Sequence, residues 1–202
     1  GRHRRDHHRH RRVALRARRR DGRVAEPSYH PVAQALHWVT ALAVLGMLGV
    51  GLWMTGLPLG FTKLYAYTWH KWVGLVVLVL TAGRLLWRWR HPPPPLPAAV
   101  VRWQAVLAPI AHWALLVLLL AMPISGWLMS SAAGVSVFWF GYIPLPDLVP
   151  RDPALFDALR TTHYILSRLL IAVLALHVGA VVHHDLLRRD GVFRRMWPFG
   201  GP

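Results

Sequence analysis

The chain has 202 residues, 54% of them hydrophobic and 16% charged, with 24 Lys and Arg against 8 Asp and Glu and a formal net charge of +16. Ordinary soluble domains carry roughly 25% charged residues, so this wealth of Leu, Val, Ala and Trp excludes both a soluble basic nucleic-acid binder and a disordered chain. Cysteine is absent, which excludes disulfides, iron–sulfur clusters and thiol nucleophiles; a small membrane protein with basic ends remains.

Residues 1–28 form a basic tail in which Gly1 to Arg12 is almost wholly Arg, His and Asp. It lacks the apolar core of a secretory signal peptide and is predicted to be a disordered segment, able to meet anionic lipid.

Residues 29–202 read as one unit with four apolar stretches. Val39 to Gly60 is uncharged, Trp72 to Trp89 is apolar except for Arg84 and Arg88, Val106 to Gly141 is uncharged, and Tyr164 to Val182 is broken only by Arg168, His177 and small polar residues. About 20 apolar residues cross a bilayer as a helix. The pattern therefore predicts an all-α, integral membrane four-helix bundle with spans near 34–56, 69–90, 106–130 and 159–187. Pro58, Pro92 to Pro95, Pro97, Pro144, Pro146, Pro150 and Pro153 mark the linkers. No sustained period-2 alternation predicts a strand. Trp53, Trp69, Trp72, Trp87, Trp89 and Trp103 fall near span ends, at headgroup level.

Lys and Arg are divided unevenly. The tail, the 84–102 region and the C-terminus hold 19; the opposite side holds only Lys63, Lys71, Arg151 and Arg160. The positive-inside rule then predicts both termini in the cytoplasm.

Ionisable residues within spans are rare and mark function. This chain places His37 in span 1, His70 at the start of span 2, His112 in span 3, and His163 and His177 in span 4. The last two are 14 residues apart, close to four full turns, so they share a face about 21 Å apart along the axis. His70 is level with His163 at the outer side. His37 and His112 both lie level with His177 at the inner side, and depth alone does not choose between them. Two facing imidazoles with no carboxylate or thiolate suit a haem iron with two axial ligands, whereas zinc favours a tetrahedral set of four. Gly46, Gly49, Gly51, Gly74, Gly126 and Gly179 offer room for a flat macrocycle between helices, or for ordinary close packing.

Ala35-Leu36-His37-Trp38, Trp69-His70-Lys71, Thr162-His163-Tyr164, Leu176-His177-Val178, His183-His184 and Arg194-Arg195-Met196-Trp197-Pro198 together resemble the bacterial cytochrome b561 family over residues 29–199. The resemblance implies two haem b groups, with His37 and His177 as the inner ligand pair and His70 and His163 as the outer pair. His112 would then be a neighbour of the inner haem or part of a quinone site. It also implies a multi-pass protein of the bacterial inner membrane.

Three functions follow from this reading. The first is a superoxide:quinone oxidoreductase that takes electrons from superoxide at the periplasmic side and reduces ubiquinone. The second is an electron-transfer subunit linking a quinol pool to a periplasmic dehydrogenase or hydrogenase. The third is a haem-free membrane protein that binds lipid or a partner; no nucleic-acid partner is expected. Lys71, beside His70, is the candidate for guiding the superoxide anion. Arg84 is the candidate partner of an inner haem propionate. His183 and His184, with Arg194 and Arg195, are candidates for a quinone carbonyl. Arg168 would pair with a propionate or snorkel to the surface.

Overall fold

The computed structural model describes residues 28–96 and 100–198; the reading of residues 1–28 as a basic tail lies outside them, Ser28 apart. Four long helices make up most of the described residues: α1 Pro31–Thr55, α2 Phe61–Arg90, α3 Arg102–Ala132 and α4 Pro153–Val182. Each is long and apolar enough to cross a membrane. At 1.5 Å per residue even the shortest, α1 with 25 residues, exceeds a hydrocarbon layer of about 30 Å. Helix α4 continues as wider turns of π-helix over His183–Arg188.

The helix starts follow from local chemistry. Pro31 and Pro153 stand at first-turn positions, where a missing N–H costs nothing. His30 accepts from the Val32 amide, and Asp152 accepts from the amides of Ala154 and Leu155. All four helices begin before the expected positions, α2 and α4 by well over one turn. Helix α2 starts at Phe61 rather than near 69, because Lys63 turns its ammonium back onto the Leu57 carbonyl (2.7 Å) and does not interrupt the helix. Helix α4 starts at Pro153, where Asp152 caps it.

α1 packs on α2, α2 on α3 and α3 on α4. Connections at alternating ends make neighbours antiparallel. The α1–α2 turn and the α3–α4 connection lie at one end, termed here the loop end. Residues 91–96 and 100–101, and the described residues before α1 and after α4, lie at the other, the termini end.

Most large apolar side chains face outward, as a bilayer-embedded bundle requires. The core is a narrow layer of Val44, Val77, Leu118, Leu119 and Leu170, flanked by Met47, Leu115, Met122, Leu166 and Val173. It sits at mid-height: Leu170 is midway between His163 and His177 along α4.

Each end is closed by an irregular segment. At the loop end a two-residue ribbon, β1 Phe138–Trp139 with β2 Ile143–Pro144, is a small exception to the expectation of no strands. Its turn uses positive φ at Phe140 and Gly141. The Trp72 indole donates to the Phe138 carbonyl (2.6 Å), and the Trp139 indole donates to the Trp72 carbonyl (3.3 Å). At the termini end the chain after α4 folds back beneath α1. The Tyr29 amide and the Gln34 side chain both donate to the Arg195 carbonyl, and the Trp38 indole donates to the Met196 carbonyl. The buried Arg195 guanidinium donates to the Pro95 carbonyl (2.7 Å).

Candidate functional site

The helices bring the intramembrane histidines into two groups. At the loop end His70 of α2 faces His163 of α4, ring centroids 6.4 Å apart. At the termini end His37 of α1 faces His177 of α4, again at 6.4 Å, and His112 of α3 lies 5.5 Å from His177. All three candidates for the inner tier therefore converge. An imidazole nitrogen bonds a transition metal at about 2 Å, so two rings gripping one metal from opposite sides have centroids roughly 6–6.5 Å apart. Both 6.4 Å pairs fit that geometry; the His112–His177 separation is shorter. Among the described residues no three His, Asp or Glu side chains are grouped to hold a metal ion by themselves. A pair of imidazoles suits a metal that brings its own equatorial ligands, as porphyrin iron does.

The rings are positioned by their second nitrogens and by what lies under them. Ser125 donates its hydroxyl proton to the Met122 carbonyl (2.8 Å), so toward His163 Nδ1, at 2.8 Å, its oxygen can only accept. His163 therefore carries its proton on Nδ1, which leaves Nε2 free to ligate. His70 Nδ1 is buried without a partner. His37 Nδ1 lies 3.3 Å from the Arg84 guanidinium, which can only donate; a His37 that ligates through Nε2 carries its proton on Nδ1 and gives up this contact, freeing Arg84 for another acceptor.

Two glycines seat the loop-end pair. A Cβ at Gly51 would stand 3.2 Å from His70 Cε1, and one at Gly126 would stand 3.3 Å from His163 Cε1. Gly74 faces Met47, whereas Gly46, Gly49 and Gly179 face open space. Of the small residues considered from the sequence, only Gly51 and Gly126 touch the histidines.

Lys71 is half-buried and donates from Nζ to Ser130 Oγ (3.0 Å), whose own hydroxyl donates to the Val135 carbonyl (2.8 Å). Its charge is thus fixed one residue from His70, between α2 and the start of the α3–α4 connection. At the termini end the buried indole Nε1 of Trp87 and the buried Oε1 of Gln104 have no hydrogen-bond partner. Trp87 stacks on His91 at 4.0 Å, and His30 lies 5.0 Å from Trp87. His183 and His184 stand past the histidine cluster, edge-on to each other, and His184 is paired with Asp190. Arg168 is exposed on α4 with its guanidinium over the Tyr164 ring.

Sequence reasoning did not single out Ser125, Ser130 or Gln104, nor a role for Trp87 beyond its place near a span end. A serine inside a span looks like any small packing residue. The available signal at Ser125 was its place beside Pro123 and Gly126, where a proline removes a helix N–H.

The sequence pattern of the prokaryotic cytochrome b561 family matches residues 28–199. The chain belongs to that family. It is 32% identical over 176 residues to cytochrome b561 homolog 2 of Escherichia coli K12, covering 83% of this chain and 90% of that protein. It is 29% identical over 167 residues to the probable superoxide oxidase CybB of Yersinia pestis, covering 81% and 92%. Cytochrome b561 homolog 1 of E. coli K12 is 26% identical over 164 residues, covering 81% and 93%. As a member of the b561 family, the chain is a multi-pass electron-transfer cytochrome of the bacterial inner membrane that binds haem b.

Proposed function

We propose that this b561 protein holds two haem b groups, one between His70 and His163 and one between His37 and His177, and carries electrons from superoxide at the loop end to a quinone at the termini end. The observation that supports this is the pair of 6.4 Å imidazole separations, one at each end of the bundle. In this reading the loop end faces the periplasm, following the imbalance of 19 against 4 basic residues.

Bound haem supplies one-electron chemistry at iron. The chain's own residues do the rest. His70 with His163, and His37 with His177, would hold an iron from two sides and would leave it no open position for oxygen. Superoxide therefore gives up its electron without bonding to iron and leaves as dioxygen. Lys71, held by Ser130, keeps a positive charge beside His70 and draws the anion to that end. Arg84 lies against His37 and supplies charge to a propionate at the other end. Reduction of one quinone to its quinol takes two electrons and two protons. Ubiquinone is the expected acceptor, and the unpartnered Trp87 indole offers its carbonyl a donor there. His112, His183 and His184 are the further candidates for its surroundings.

The test is a stopped-flow or pulse-radiolysis measurement of cytochrome reduction by superoxide in the purified protein, followed by reoxidation with ubiquinone-1. Fast, salt-dependent reduction and quinone-dependent reoxidation are expected. Slow reduction indifferent to salt would overturn the superoxide assignment. It would favour a subunit that exchanges electrons between a quinol pool and a periplasmic dehydrogenase or hydrogenase.

A further inference from the structure

The α3–α4 connection is not built as an aqueous loop. Residues 133–146 carry no charged side chain, and Phe138, Ile143 and Tyr142 are exposed, Tyr142 by 88%. The segment also bends back toward the middle of the bundle. Ala132, which ends α3, stands 13 residues beyond Leu119 of the mid-height layer, about 20 Å above it at 1.5 Å per residue. Trp72 stands only five residues from Val77 of that layer, about 7–8 Å above it. The Trp139 indole donates to the Trp72 carbonyl. The Trp72 indole leans toward the loop end, as helical side chains lean toward their N-terminus, and donates to the Phe138 carbonyl. On α3 the Trp127 indole, eight residues from Leu119, donates to the Pro146 carbonyl (3.2 Å). Three indoles thus hold the ribbon near the height of His70 and His163, inside a hydrocarbon half-thickness of about 15 Å.

The ribbon also lies outside the bundle. His70 faces the interior, where it meets His163. Trp72 follows it by two residues, a turn of about 200°, so the ribbon packed on Trp72 sits on the outer side of α2. A file of rings leads down that side, with centroids 6.2 Å apart from Tyr65 to Trp69, 5.2 Å from Trp69 to Trp72 and 5.3 Å from Trp72 to Phe140. Tyr65 and Trp69 are exposed. Backbone at this depth has to be satisfied within the protein, and the segment is built for that. β1 pairs with β2, and the amides of Gly141, Tyr142 and Leu145 donate to the carbonyls of Phe138, Trp139 and Val137. Pro144 and Pro146 have no N–H to leave bare.

We propose that residues 135–146 form a re-entrant element embedded in the loop-end leaflet on the outer side of α2, with Phe138, Phe140, Tyr142 and Ile143 set among lipid acyl chains. Lipid is the occupant because the ribbon is uncharged, bonds its backbone internally and continues the lipid-facing surface of α2. A second copy of the chain is a poorer occupant: four side chains are far fewer than the roughly 20–30 residues a stable interface draws from each partner. A water-soluble partner would have to reach below the headgroups. With the ribbon in lipid, the aqueous rim of the loop end is left to the α1–α2 turn and the first turn of α4. The proposal needs neither haem.

The chain has no cysteine, so single-cysteine variants of the full chain each report one position. Phe140→Cys, Tyr142→Cys and Ile143→Cys carry a nitroxide in vesicles of phosphatidylcholine and phosphatidylglycerol. Power saturation then compares access to oxygen, which concentrates in lipid, with access to a water-soluble nickel chelate. Val79→Cys, exposed on α2 near mid-height, and Ala154→Cys, exposed in the first turn of α4, set the lipid and water limits. The ratio of oxygen to nickel access at positions 140 and 143 is expected to exceed that at 154 several-fold, with 142 between 143 and 154. Wild type in vesicles holding a phospholipid with a photoreactive diazirine on its acyl chain is expected to carry adducts within residues 135–146. That measurement needs no substitution and guards against a misfolded variant. Nickel access at all three positions equal to that at 154 would overturn the proposal. Adducts on the outer side of α2 with none in 135–146 would overturn it as well. Spin–spin coupling between copies at positions 140–143, with oxygen excluded there, would assign the face to a second copy and overturn the lipid occupant.

Discussion

Ser125 Oγ stands 2.8 Å from His163 Nδ1 and directs its own proton to the Met122 carbonyl, which also meets the His163 ring, so two acceptors on α3 favour the proton on Nδ1 and leave Nε2 free to bind a metal. Ser125→Ala is expected to remove one of two acceptors near that N–H, the Met122 carbonyl remaining, at a cost of about 0.5–1.5 kcal/mol. It should weaken haem retention at the loop end by roughly 10-fold, the low end of the usual effect of losing such a partner. A ligand whose N–H is held less strongly is also less basic, so the midpoint potential of that site should rise. Ser125→Thr keeps the hydroxyl and should restore both values. A redox titration with haem quantitation of the three proteins checks this.

Gly51 and Gly126 act by steric room. Each Cβ position lies 3.2–3.3 Å from a histidine carbon, tighter than ordinary van der Waals contact, so alanine should push the ring slightly and valine should push it off its axial position. Gly51→Val or Gly126→Val is expected to convert the loop-end site from low-spin to high-spin, read by the Soret band and by electron paramagnetic resonance. Gly46→Ala, which meets open space, should leave both spectra unchanged.

The spans were legible because uninterrupted apolar stretches of bilayer length admit few alternatives, and the two histidine tiers followed from helix rise and antiparallel order alone. The helix starts were less legible. Lys63 looked like a loop residue, but its backward reach to the Leu57 carbonyl keeps it inside α2. The end closures were hidden for a different reason. The contacts of Trp72 with Phe138 and of Tyr29 with Arg195 join residues far apart in sequence, and no periodicity encodes them. Ser125 shares that difficulty, since its role exists only once α3 and α4 are side by side.

Arg84 lies 3.3 Å from His37. A positive charge beside a metal centre disfavours its oxidised, more positive form, and in a partly buried site the interaction is of the order of a few kcal/mol. Arg84→Gln should therefore lower the midpoint potential of the termini-end haem, by on the order of 100 mV given about 59 mV per tenfold for one electron, and leave the other site within error. Potentiometry followed in the optical spectrum separates the two sites.

Lys71 is tethered to Ser130 rather than free in solvent. Lys71→Gln should lower the second-order rate of reduction by superoxide several-fold and flatten its salt dependence, because the encounter of a small anion follows local potential, screened over about 8–10 Å. Reduction by a neutral quinol should be nearly unchanged. Ser130→Ala keeps the lysine but frees it, and should reproduce only part of the loss.

Whether four histidines hold two haems is read from haem stoichiometry and spin state in single histidine variants. Wild type should contain two non-covalent haem b per chain, both low-spin. His70→Ala and His163→Ala should each remove the same haem, and His37→Ala and His177→Ala the other, while His112→Ala retains both. A wild-type protein with fewer than two haems, or a His112→Ala variant that loses the haem which His37→Ala keeps low-spin, would contradict the account.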